Sequence, residues 1–132
     1  MNHVHHKKKI LVVENDRRTL DQIHKILEHE RVDLLESLSA EDALDVLERE
    51  EVHLVICNIQ MPGMSGTEFL NELHNWDSEL PVILTSTESS EKDWEEAMHA
   101  DAIALISRPI RRELLLKAVH KAIHTREAVA SL

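Results

Sequence analysis

Short apolar runs alternate with amphipathic stretches along almost the whole chain. Ile10-Leu11-Val12-Val13 is apolar at successive positions, the pattern of a strand covered on both faces. Leu20, Ile23, Ile26 and Leu27 then recur at helical spacing and predict a helix through about Glu30. Val32 to Ser37 reads as a second, less apolar strand. Ser39 with Asp42 three residues later resembles a capping box, opening a helix with Ala43, Leu44 and Leu47 inward. Leu54 to Cys57 is the third strand, and a helix carrying Phe69, Leu70 and Leu73 follows a Pro-Gly loop. Pro81 to Thr85 predicts a fourth strand, Ser90 to Ala100 a weakly amphipathic helix, and Ile103 to Ile106 a fifth strand. The last helix begins after Pro109 and turns Leu114, Leu115, Ala118, Val119, Ala122 and Ile123 inward.

Five strands alternating with five helices imply an α/β domain, a parallel sheet between two helical layers. The 132 residues fit one domain. It is expected over residues 9–127, after a flexible polar N-terminal tail at 1–8 and before a C-terminal tail at 128–132. Histidines 3, 5 and 6 are read with that tail and not as metal ligands, because flexible histidines lack a preorganised second shell.

Composition narrows the function classes. A formal net charge of −10 argues against direct nucleic-acid binding, which uses a basic face. No apolar stretch approaches the roughly 20 residues that cross a bilayer, so a cytoplasmic protein with no membrane partner is expected. The single cysteine, Cys57, lies within the third apolar run and is expected to be a small buried hydrophobe.

The most informative residue is Asn58. It closes the run Leu54-Val55-Ile56-Cys57 and leads into Ile59-Gln60-Met61-Pro62-Gly63-Met64-Ser65-Gly66. A buried strand followed by this loop and a helix resembles the phosphoacceptor segment of response-regulator receiver domains, the CheY-like modules of two-component (phosphorelay) signal transduction. The resemblance runs from Ile10 to about Ile123, and its strongest element is Met61-Pro62-Gly63-Met64-x-Gly66 at the family's distance from Asn58. It implies a flavodoxin-like (βα)5 fold with strand order 2-1-3-4-5. It also implies a pocket at the carboxyl ends of the strands, formed by Glu14, Asn15, Asn58, Thr85 and Arg108. In the family an acidic pair and the acceptor aspartate hold Mg²⁺, a hydroxyl residue contacts the phosphoryl group, and a lysine before a proline pairs with it.

This chain departs from that pattern at the reactive positions. Asn58 stands at the acceptor position, and a carboxamide cannot form an acyl phosphate without losing its nitrogen. Asn15 replaces the second acid, leaving Glu14 as the one remaining carboxylate of the set. Mg²⁺ demands near-octahedral oxygen ligands at roughly 2.0–2.1 Å, so weak or absent binding and no resident cofactor are expected. Asp16 is read as a cap of the first helix and not as a substitute ligand. Arg108 replaces the lysine and has two readings: a surface arginine, or one that reaches Glu14 and fills the vacated site, the latter preferred because Glu14 otherwise lacks a cation. Leu105 occupies the family's aromatic switch position, and Asp101 a position often held by glycine.

Other candidates carry less. His120 and His124 share a spacing that can bind metal, but Lys117 and Lys121 beside them favour a solvated face. Trp94 suits either a partner anchor or packing on the core beside Met98, the second slightly preferred. No nucleophile–base pair points to an enzyme. The expected function is a pseudo-receiver acting by protein–protein contact, independently of phosphorylation. Its partners would be a histidine kinase, an output domain, another regulator or a second copy. The contact face would be that of the fourth helix, fifth strand and fifth helix, with Trp94, Glu95, Arg111 and Lys117. Two alternatives stand beside this: a small-molecule sensor using the altered pocket, and an inefficient phosphoacceptor using another acid such as Asp16.

Overall fold

A computed structural model describes residues 7–87 and 90–131, with side chains as far as residue 124. The histidines at 3, 5 and 6 lie outside the described residues. Five strands and five helices alternate: β1 (Lys8–Val13), α1 (Arg17–Leu27), β2 (Val32–Ser37), α2 (Ala40–Arg49), β3 (Leu54–Asn58), α3 (Gly66–Trp76), β4 (Val82–Ser86), α4 (Glu91–His99), β5 (Ala104–Ser107) and α5 (Arg112–Ser131). All strand pairs are parallel and the sheet order is β2-β1-β3-β4-β5. This is the flavodoxin-like order expected.

The apolar runs are unbroken because both faces of the sheet are buried. Leu11, Val13, Val55, Cys57, Val82 and Leu84 face one core, with Phe69, Leu70 and Leu73 of α3 and Ala97 of α4. Ile10, Val12, Leu54, Ile56 and Ile83 face the other, with Leu20, Ile23 and Leu27 of α1 and Leu115, Val119 and Ala122 of α5. Burial pushes the Cys57 thiol pKa up, consistent with its expected role as a small hydrophobe.

Several boundaries differ from the pattern reading. β4 starts at Val82, because Pro81 has no N–H for the ladder and contributes only its carbonyl, which accepts from the Val55 N–H. β5 is displaced by one residue in the same direction. The backbone of α5 continues to Ser131, past the boundary expected at 127. Leu114, expected inward, is exposed, since the buried stripe of α5 is centred on Leu115, Ala118, Val119 and Ala122.

Helix α4 departs most. Within it only Ala97 is buried, while Trp94 is 47% and Met98 69% exposed. The preferred core-packing reading of Trp94 is therefore corrected. After α4, Asp101 has a φ of +61°, in the left-handed region that aspartate tolerates better than most side chains.

Candidate functional site

The carboxyl ends of the parallel strands gather the polar residues that the apolar runs exclude. Glu14 follows β1, Asn58 closes β3, and Arg108 follows β5. Strand alternation places Asn58 on the side of Leu54 and Ile56, and Glu14 on the side of Ile10 and Val12. Both are almost fully buried, at 2% and 1% exposure.

The two are joined directly. Asn58 Nδ2 donates to Glu14 Oε2 at 3.2 Å, and the Asp16 N–H donates to the same oxygen at 3.0 Å. Asn58 Oδ1 accepts from the Gln60 N–H at 2.9 Å. A carboxylate on one side and a backbone N–H on the other admit only this orientation of the carboxamide. The amide thus supplies the positive edge that a lone buried carboxylate needs. Glu14 Oε1 has no hydrogen-bond partner among the described residues.

Arg108 does not reach Glu14 as preferred from the sequence. Its Nη1 donates to Asp16 Oδ2 at 3.1 Å and to Thr19 Oγ1 at 2.8 Å, and its Nη2 donates to Thr87 Oγ1 at 2.7 Å. Asp16 is the more accessible acid, whereas Glu14 is almost fully buried. Asp16 caps α1 as expected, accepting from the Thr19 N–H at 3.3 Å and the Thr19 hydroxyl at 2.7 Å.

The Asp16 carboxyl is held below its ordinary pKa, chiefly by the Thr19 hydroxyl and N–H, with Arg108 adding to the effect. A carboxyl with a depressed folded-state pKa contributes stability above its unfolded value, and loses it as pH falls through the folded value. Asp16→Asn is therefore expected to lower the urea midpoint at pH 7. The gap from the native chain should begin to narrow below about pH 4, where the unfolded chain's aspartate takes up its proton, and go on narrowing as pH falls towards the lower folded value. An equal gap at pH 7 and pH 3 would refute this assignment.

Asn15 is exposed beside this cluster. Thr85 is buried opposite Asn58, and its carbonyl accepts from the Ile59 N–H at 2.8 Å. The hydroxyl that joins the wider polar network belongs to the next residue, Ser86. It alternates to the other face of the sheet, where its Oγ donates to Asp93 Oδ2 of α4 at 2.9 Å and accepts from Gln60 Nε2 at 3.0 Å. Gln60 Nε2 also donates to Asp93 Oδ2 at 3.3 Å, and Gln60 Oε1 accepts from the Thr87 N–H at 3.1 Å. Gln60, Ser86, Thr87 and Asp93 were missed by sequence reasoning. The run Thr85-Ser86-Thr87 was a usable signal, but a one-residue difference in register decides which hydroxyl faces which helix.

The remaining candidates separate from this cluster. Leu105 is buried on the α4 side of the sheet. Trp94, Glu95, Arg111 and Lys117 are all exposed. His120 Nε2 lies 2.7 Å from Glu30 Oε1, and no group of three metal-ligating side chains occurs among the described residues. No helix among the described residues is long and apolar enough to cross a membrane.

Comparison with known proteins agrees with this fold. The chain is 32% identical over 108 residues to the heme response regulator HssR of Staphylococcus aureus, covering 81% of this chain and 48% of that protein. It thus spans about half the length of the curated relatives it matches. A CheY-like receiver domain protein from Methanospirillum hungatei superposes with a TM-score of 0.85 at 28% identity, over 92% of this chain and 98% of the other. The receiver domain of an HD domain-containing protein from Pseudomonas fluorescens shares the fold, with a TM-score of 0.90 at 23% identity over 99% and 97% of the two chains. Residues 10–120 match the family described as Response regulator receiver domain, and with the sheet order and strand-end cluster above, the chain belongs to that family of two-component signalling modules.

Proposed function

We propose that this receiver signals without phosphorylation, by protein–protein contact. The observation that carries the reading is the hydrogen bonding of Asn58, whose Nδ2 donates to Glu14 and whose Oδ1 accepts from the Gln60 N–H. The position that accepts a phosphoryl group in the family is here a carboxamide held on both sides, with no nucleophilic oxygen. The cation expected beside it, Arg108, is committed to Asp16, Thr19 and Thr87. The same bonds count against Asp16 as a substitute acceptor, since its carboxylate serves as helix cap and ion-pair partner.

The residues present do not suit Mg²⁺ as the family binds it. Glu14 is the one carboxylate buried in the cluster; its Oε2 already accepts from Asn58 Nδ2 and the Asp16 N–H, which leaves a single unpartnered carboxylate oxygen, Oε1, where Mg²⁺ needs several oxygen ligands.

The contact face in this reading joins α4, β5 and α5. Its two helices differ in charge: α4 carries Glu91, Asp93, Glu95 and Glu96 against one lysine, while Arg111, Arg112, Lys117 and Lys121 lie at and along the first part of α5, with Glu113 the one acid there. Such a face suits a second copy turned so that α4 meets α5, or a kinase, output domain or regulator of matching charge. The setting is cytoplasmic.

Intact mass after incubation with acetyl phosphate and Mg²⁺, beside an ordinary receiver as positive control, tests this reading. An unmodified chain is the expected result. A stoichiometric gain of one phosphoryl group overturns the reading, and mapping the modified residue would decide whether Asp16 is the acceptor.

A further inference from the structure

Helix α4 is held to the sheet by little apolar packing. Ala97 is its one buried side chain, and an alanine contributes a small fraction of what a leucine or phenylalanine does. Its two large apolar residues, Trp94 and Met98, lie one turn apart and face outward. Polar contacts take up the task at the first turn. Asp93 Oδ2 accepts from Ser86 Oγ at 2.9 Å and from Gln60 Nε2 at 3.3 Å, while Ser86 Oγ accepts from Gln60 Nε2 at 3.0 Å. One carboxylate, one hydroxyl and one carboxamide thus form a closed triangle linking α4, the end of β4 and the loop after β3.

The same Gln60 ties this triangle to the buried cluster, since its backbone N–H donates to Asn58 Oδ1. One residue therefore touches the strand-end site through its main chain and α4 through its side chain. Leu105, buried on the α4 side, has no polar group with which to offer a second route.

We propose that the Gln60–Ser86–Asp93 triangle is the device that sets the position of α4, and with it the presentation of the Trp94–Met98 surface, in direct connection with Asn58. This deepens the phosphorylation-independent reading above and rests on it: a fixed internal side chain holds α4 in the placement that partners meet. Gln60 is a positioning residue, exposed at the surface, so its replacement leaves both apolar cores intact.

The test is amide hydrogen exchange resolved by segment. Gln60→Glu keeps an acceptor for the Thr87 N–H but removes both donors and sets a carboxylate against Asp93. Exchange over residues 90–100 is expected to rise about tenfold, with α1 and β1 unchanged. Adding Asp93→Asn reverses the polarity of the pair, acid for amide, and is expected to restore slow exchange. Trp94 fluorescence in a Trp76→Phe background should follow the same order. Exchange in α4 within about twofold of the native chain, or a rise shared by every segment, would overturn the proposal, as would failure of the swapped pair to restore protection. No phosphodonor is used, so a phosphoryl gain in the mass assay would defeat the functional reading while leaving this comparison intact.

Discussion

Asn58→Asp is expected to destabilise this protein by about 3 kcal/mol at neutral pH, although aspartate is the family's own residue at this position. The substitution removes the Nδ2 donor that now meets Glu14 Oε2 at 3.2 Å and sets two carboxylate oxygens at that separation in a buried site. At this chain length such a loss lowers the thermal midpoint by roughly 10 °C. Asn58→Ala should be milder, because it leaves Glu14 short of a donor without adding a second negative charge. A divalent cation is expected to recover part of the loss in Asn58→Asp, and more in Asn15→Asp/Asn58→Asp, because a cation between carboxylates replaces the amide hydrogens. Thermal melts of the three variants with and without Mg²⁺ make the comparison. If Asn58→Asp alone melts with the native chain in the absence of divalent cations, the amide–carboxylate pairing is not what stabilises this site.

Gly66→Ala is expected to destabilise the fold by a similar amount, about 3 kcal/mol, for a steric reason. A Cβ at Gly66 would stand 2.6 Å from the Asn58 carbonyl oxygen and 2.8 Å from Ile59 Cα. Both are backbone atoms at the end of β3 and cannot swing aside as a side chain can. The Gly66 N–H also donates to the Ile59 carbonyl at 3.0 Å, so moving α3 away breaks that bond as well. Gly63→Ala provides the contrast. There φ is +80° and the nearest atom is a Glu41 carboxylate oxygen at 3.2 Å, the tip of a flexible side chain. About 1 kcal/mol, from the left-handed backbone, is expected. Urea unfolding of the two variants side by side measures the difference, and equal losses would refute the close-approach explanation for Gly66.

The contrast shows how unevenly the site could be read from its residues. Both glycines matched the same family motif, but their different reasons emerge only once α3 is docked against β3. Asn58, Glu14 and the departure at Asn15 were evident in sequence because each sits at a fixed offset from an apolar run. Arg108 was placed correctly and paired wrongly. Its guanidinium has Glu14 and Asp16 two residues apart to choose between, and it meets the more accessible Asp16, beside the Thr19 hydroxyl, and not the buried Glu14. Gln60 left no local trace at all, since a single glutamine in a loop has no periodicity and no preferred neighbour.

The sequence by itself determined the parallel three-layer fold, the two cores and the strand-end location of the polar cluster. It did so because side-chain periodicity, helix caps such as Asp16 and Ser39, and unbroken apolar strands are properties of neighbouring residues. Tertiary structure alone decided that Ser86 and not Thr85 meets α4, that Arg108 holds Asp16, and that Trp94 stands exposed. Those outcomes depend on one-residue strand register and on competition for a few hydrogen-bond partners between residues far apart in the chain. Short-range patterning carries no information about which competitor arrives within 3 Å.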